Sequence, residues 1–203
     1  MPKKTINERH YDLYSFFYDL LVYPLRYIRR KGFMQCEIKV CDKVAILGCG
    51  SGNDFPFLPS KTEVYAIDLS QNMLIKAQRK AQSLQLNVSL IKGDAATMPY
   101  PDASMHWALL HLILAVTDKP DATLNEAIRL VGVGGYISIF DKFAPDDVPL
   151  SFLRRMLRPF LRFLGTDIGI KLQELTKDKS LKKISEKHFL LGQFKWCVYQ
   201  VIE

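Results

Sequence analysis

The run Val44-Ala45-Ile46-Leu47 breaks directly into Gly48-Cys49-Gly50-Ser51-Gly52, and this junction restricts the fold more than any other stretch. Consecutive apolar residues suit a strand buried on both faces, the condition of a parallel sheet covered by helices. Alternating glycines at the strand's end let the backbone turn tightly and approach a bound group closely. Twenty positions after Gly48 a second apolar run, Val64 to Ile67, closes on Asp68. An ionised carboxylate is a pure acceptor and matches two neighbouring ribose hydroxyls. A parallel α/β sheet with a nucleotide-like ligand at its carboxyl edge is therefore expected.

The rest of the chain repeats the alternation. Ser70 reads as the cap of a helix with Met73, Leu74, Ala77, Ala81 and Leu84 inward. Residues 87–91 form a third strand, 105–110 a fourth and 136–140 a fifth, with a helix from about 121 to 131 ending at Gly132. Asn53-Asp54-Phe55 begins a short helix limited by Pro56 and Pro59. Two alternating runs joined near Gly192 predict an antiparallel pair over 182–203. Before the first strand, Tyr11, Tyr14, Phe17, Tyr18, Leu21 and Leu25 recur at helical spacing over residues 7–31, with a break near Pro24. Core packing explains such a face, and so does a lid that carries tyrosine hydroxyls over a ligand. Residues 149–164 form a second amphipathic pattern, with Arg154, Arg155, Arg158 and Arg162 on one side and apolar residues opposite.

Charge matters more than composition here. The 203 residues carry +7 overall, but residues 44–148 are net −3, while 1–43 hold +4 and 149–203 hold +6. Basic flanks on an acidic centre suit an anionic substrate or lipid surface, or simply a solvated exterior. The four cysteines have neither zinc spacing nor a CxxC, so no metal site is expected and the thiols read as reduced. With a polar start and no apolar run near the ~20 residues that span a bilayer, the reading is cytoplasmic, with 150–164 either docked on the protein's own core or in peripheral contact with anionic membrane. One domain is expected. It comprises an N-terminal helical lid (1–43), a ligand-binding core (44–148), a basic helical insertion (149–181) and a final strand pair (182–203).

Five ordered stretches resemble one family, the class I S-adenosylmethionine-dependent methyltransferases. They are Leu47 to Gly52, Val64 to Leu74, Gly93-Asp94-Ala95, Met98 to Ser104, and Ala127 to Leu130 with Gly134-Gly135. The N-terminal Tyr11-Asp12 and Tyr18-Asp19 resemble the branch of ubiquinone/menaquinone-biosynthesis and phosphatidylethanolamine methyltransferases. The resemblance implies a Rossmann-like three-layer sandwich whose seven-stranded, mostly parallel sheet has an antiparallel last strand. It implies S-adenosyl-L-methionine as cofactor, with Gly48, Cys49, Gly50, Ser51 and Gly52 facing its methionine part and Asp68 its ribose. Leu69 and Met73 would lie against the adenine, Asp94 and Ala95 would bind its edge, and Tyr11 and Leu110 would complete the surround. The dinucleotide alternative weakens, because Asn53 replaces the last glycine of GxGxxG.

The departures from the family pattern are as informative. Its usual acid two residues before the first glycine is Ile46 here, so Asp54 is the candidate to supply that contact. The amino-methylating Asn/Asp-Pro-Pro-aromatic motif is absent after the fourth strand, where Leu109-Leu110-His111-Leu112 stands, and no nucleic acid is expected. His111, beside the expected sulfonium, is the candidate base, and Tyr18 a second catalytic candidate. Methyl transfer to a small, lipophilic or lipid-derived acceptor is the leading expectation. A non-catalytic cofactor-binding protein that uses its basic flanks for a partner or nucleic acid is the alternative.

Overall fold

The computed structural model describes residues 25–143, 170–190 and 192–203. The tyrosine-bearing face of residues 11–21 and the basic segment 149–164 lie outside these. The first described element is helix α1 (Leu25–Phe33). Then come β1 (Lys43–Leu47), a 3-10 turn (Phe55–Phe57), β2 (Glu63–Asp68), α2 (Gln71–Ser83), β3 (Asn87–Lys92) and β4 (Trp107–His111). The remainder is α3 (Pro120–Val131), β5 (Tyr136–Asp141), α4 (Leu172–Thr176), β6 (Leu181–Phe189) and β7 (Phe194–Val201).

The seven strands form one sheet in the order β3-β2-β1-β4-β5-β7-β6. Strands β1 to β5 run parallel, and β7 enters antiparallel between β5 and β6. The order reverses direction between β1 and β4, and in such sheets ligands settle at the carboxyl edge of that switch point. The glycine turn leaves β1 there.

Strand alternation sorts the core into two faces. Ala45, Leu47, Ala108, Leu110, Ile137 and Ile139 pack with Leu124, Ala127 and Leu130 of α3. Val44, Ile46, Leu109, Phe140, Trp196 and Val198 pack with Leu25, Ile28 and Phe33 of α1 and with Leu74, Ala77 and Ala81 of α2. Each helix buries residues three and four apart, as an amphipathic stripe requires. Burying a side chain of this size contributes about 1.5–3 kcal/mol, so these faces dominate the stability.

Three local expectations shift. The fourth strand runs from Trp107 to His111 rather than from Met105 to Leu110, because Met105 donates to Leu130 O and Tyr136 N closes on His106 O below the ladder. Leu84 is 43% exposed rather than inward, since it is the C-cap, one residue past the end of α2 and three past Ala81, the last inward position. The helix expected from Asn53 is a single 3-10 turn that starts two residues later, with Asp54 as its N-cap residue and Pro56 inside it. The short α4 lies in the segment read as a helical insertion.

Candidate active site

The cradle begins where β1 ends. Gly48 and Cys49 both donate to Ile67 O, at 2.9 and 3.0 Å, and Gly52 donates back to Cys49 O. Gly48, Gly50 and Gly52 take φ of +74°, +53° and +74°, a region that side chains resist. A Cβ at Gly48 would lie 2.6 Å from Ile113, and one at Gly52 2.5 Å from Phe55. The loop after β4 and the 3-10 turn thus press against the turn from both sides.

Asp68 holds this turn open at the end of β2. Its Oδ2 accepts from Gly50 N at 2.7 Å and its Oδ1 from Ser70 N at 2.9 Å. Each oxygen keeps a lone pair for a further donor. Burial pushes the Asp68 carboxyl up, and the amides of Ser70, Gly50 and Leu69 oppose that. Leu69 next to it is exposed, whereas Met73 is buried on α2, one turn after the Ser70 cap. Gly93 N donates to Asp68 O at 3.1 Å, which brings the end of β3 alongside. There Asp94 accepts from Ala96 N at 2.9 Å and from Lys119 Nζ at 2.8 Å, and these two bonds lower its pKa. Ala95 is buried behind it.

The glycine turn, Asp68 and Asp94 therefore converge on one edge, as the motif order implied. One expected neighbour stands elsewhere. Leu110 is fully buried in the core beneath α3. Cys49 and Ser51 are also buried, and desolvation raises the Cys49 thiol well above its usual value, which removes it as a nucleophile. Tyr11 and Tyr18 lie outside the described residues.

Asp54 and His111 meet each other rather than open space. Asp54 Oδ1 accepts from Arg29 Nε at 2.8 Å. Its Oδ2 lies 3.0 Å from His111 Nδ1, close but off the line of an aligned hydrogen bond. His111 Nε2 is 3.0 Å from Ser138 Oγ, which also accepts from Cys36 Sγ at 3.5 Å. The His111 side chain has no exposure and Asp54 only 6%. Burial pushes the Asp54 carboxyl up, but His111 and Arg29 outweigh it and hold the group well below the usual carboxylate range. Phe33, Phe140 and Trp196 enclose the imidazole, with ring centres at 5.5, 6.1 and 4.4 Å.

Sequence reasoning passed over Arg29, Ser138, Ile113 and Lys119. Arg29 had a signal, since it shares the spacing of Leu25, Ile28 and Gly32 on the inner face of α1. Ser138 and Ile113 had none short of the sheet register. Two of the resembling stretches prove to be one lock: Arg129 donates to Met98 O and Tyr100 O, and Glu126 accepts from Met98 N. A hollow of about 420 Å³ between α2 and β3, lined by Leu74, Gln78, Arg79 and Lys92 among others, shares no residue with the turn.

A sequence profile described as a methyltransferase domain matches residues 44–135, the span that builds this cradle. Over this span the chain is similar to S-adenosylmethionine-dependent methyltransferases, as the resembling stretches implied. The chain is 26% identical over 146 residues to a phosphatidylethanolamine N-methyltransferase of Cereibacter sphaeroides, covering 71% of this chain and 72% of that one. It is 29% identical over 151 residues to a demethylmenaquinone methyltransferase of Lactobacillus johnsonii, covering 69% of this chain but only 62% of the relative. A geranyl diphosphate methyltransferase solved with S-adenosylmethionine has the same fold, with a TM-score of 0.70 at 12% identity over 87% and 85% of the two chains. The expected cofactor, S-adenosyl-L-methionine, fits this cradle of left-handed glycines beside a carboxylate that keeps lone pairs for further donors.

Proposed function

We propose that this protein moves a methyl group to a small lipophilic acceptor, with a lipid amine or a quinone ring as the leading classes. What carries the cofactor half of this reading is Asp68, placed between Gly50 N and Ser70 N at the switch point. What favours the acceptor half is likeness to relatives named for a phospholipid amine and for a menaquinone precursor, together with the basic flanks. The exposed face of α1 agrees: Arg26, Arg30 and Lys31 alternate with Tyr27 and Met34, which are 66% and 75% exposed. Such a face suits the surface of an anionic bilayer, and no described helix is long and apolar enough to cross one.

Bound S-adenosylmethionine supplies an electrophilic methyl on a sulfonium, and transfer leaves a neutral thioether. The protein's share is placement. Asp68 would take the ribose hydroxyls, the backbone of the glycine turn would face the methionine end, and Leu69, Met73 and Ala95 would flank the adenine with Asp94 at its amino group. Holding donor and acceptor in line accounts for much of the acceleration such a displacement needs. His111, fully buried between Asp54 and Ser138, fits a positioning part better than proton removal from an acceptor.

Calorimetric titration with S-adenosylhomocysteine tests the cofactor site. Asp68→Ala is expected to weaken binding by about 10- to 100-fold, the range for losing charged hydrogen bonds. Unchanged affinity would remove Asp68 from the site. Transfer of labelled methyl from S-adenosylmethionine to phosphatidylethanolamine vesicles or to a demethylated menaquinone then separates the two acceptor classes. Transfer to neither, with binding intact, would favour a cofactor-binding protein without turnover.

A further inference from the structure

A line of buried polar groups crosses the sheet face beneath α1. It runs from Arg29 to Asp54, His111 and Ser138, and Cys36 donates to its far end. Arg29 and Asp54 are 4% and 5% exposed and Ser138 has no exposure. Asp54, His111 and Ser138 stand in the order of an orienting acid, a base and a nucleophile. That chemistry is closed to them, because no electrophile from solvent reaches Ser138 Oγ. Stability is also a poor account of the line. Well-packed apolar residues usually serve a core as well as a buried ion pair does, while removing one partner leaves a costly lone charge. What such a pair fixes is placement.

Arg29 leaves α1, Asp54 stands two residues after Gly52, and His111 ends β4, so three charge-bearing groups tie three separate elements together. The apolar contacts tie the same elements. Phe33 stacks on Phe57 of the 3-10 turn at 5.4 Å and meets the edges of His111 and Trp196. Gly32 lies so close to Trp196 that a Cβ would fall 2.1 Å from the indole. The rest of α1 exposes Arg26, Arg30 and Lys31 to solvent, so Arg29 is the cation of this helix committed inward. Asp54 caps the 3-10 turn by position without a side-chain bond to it, since both its oxygens are directed at Arg29 and His111.

We infer that Arg29 is a positioning residue for the cofactor: through Asp54 it sets the exit of the glycine turn and the ring of His111, so that seating of α1 and binding at the turn are one coupled event. The inference rests on the glycine turn being the cofactor's cradle and is independent of the acceptor. Coupling of this kind is reciprocal: whatever seats α1 tightens the turn, and whatever fills the turn seats α1.

Two measurements test it. In hydrogen exchange on the wild-type chain, saturating S-adenosylhomocysteine is expected to slow the amides of residues 25–33 as well as those of the turn. In calorimetry well below unfolding, Arg29→Met is expected to bind S-adenosylhomocysteine about tenfold or more weakly, within the usual range for coupled sites. Arg29→Met with Asp54→Leu should lose no more than either change alone. Wild-type affinity in a folded Arg29→Met overturns the inference, and so does unchanged exchange over 25–33 in the saturated wild type. Should Arg29→Met fail to fold, the exchange result decides. No binding by the wild type would instead strike the cofactor cradle itself, and the inference with it.

Discussion

Ile46 occupies the place where relatives of this fold carry an acid, and its surroundings explain why an acid does not fit here. It is 1% exposed on the α1 side of the sheet, paired with Ala66 and Leu109, on the face that His111 shares two residues beyond Leu109. The anionic charge on that face is Asp54, already matched by Arg29. Ile46→Asp adds a carboxylate with no cation left for it and is expected to destabilise the fold by about 3 kcal/mol or more, measured by urea unfolding at neutral pH. A second carboxylate, Asp141, behaves in the opposite way to Asp54. Both its oxygens accept backbone amides, from Ala115 and Lys142, yet burial lifts its pKa to about 6. The folded state thus holds its proton more tightly than the unfolded chain, whose carboxyl titrates near 3.8. Stability from this group is full below about pH 4 and falls as pH rises through 6. The stability difference between wild type and Asp141→Asn should therefore shrink by about 3 kcal/mol from pH 4 to pH 7; a difference that grows with pH would reverse the assignment. The placement of Asp68 and Asp94 beside the glycine turn was legible from motif order. Those of Asp54 and His111 were not, because only the folded register shows that Arg29 and Ser138 occupy the space around them.

Among elements, α1 shows most clearly what periodicity can and cannot reveal. Its residues up to Lys31 fall in the stretch read as helix, while the expected break near Pro24 lies outside the described residues. Its basic end, however, reads in sequence as a complement to the helix dipole, which conceals that Arg29 turns inward. The sheet was more transparent, because apolar runs bounded by glycine and proline give strands wherever they occur. The edges of β4 moved by one or two residues, since hydrogen bonds from Met105 and to His106 lie just outside the ladder. Contact between α1 and β7 depends on the missing side chain of Gly32. Gly32→Ala is expected to cost about 1–3 kcal/mol by overpacking against Trp196, read as a lower urea midpoint with unchanged slope. A neutral or stabilising result would mean that the indole can move aside.

For the whole molecule, charge distribution and strand order carry the argument. The flanks hold the positive charge while the cofactor-bearing centre is net negative, so attraction to an anionic surface would orient the molecule by its ends. Vesicles of phosphatidylglycerol are expected to retain the protein at low salt and release it as ionic strength passes ~0.15 M, where screening acts over about 8 Å; retention indifferent to salt would point to apolar insertion alone. Strand order has a different consequence. Strand β7 follows β6 in the chain but lies between it and β5, so β6 meets the sheet only through β7. No partly assembled form can hold β6 in place while β7 is absent. The two arrive as a hairpin or β7 arrives first, and until then no other described strand pairs with the outer edge of β5. Trp196 travels with β7, so the box around His111 is completed in the same step. The glycine turn can be shaped while β1, β2 and β4 are alone together. The imidazole's dry surroundings come later in the order of assembly, and the two halves of the site have separate histories.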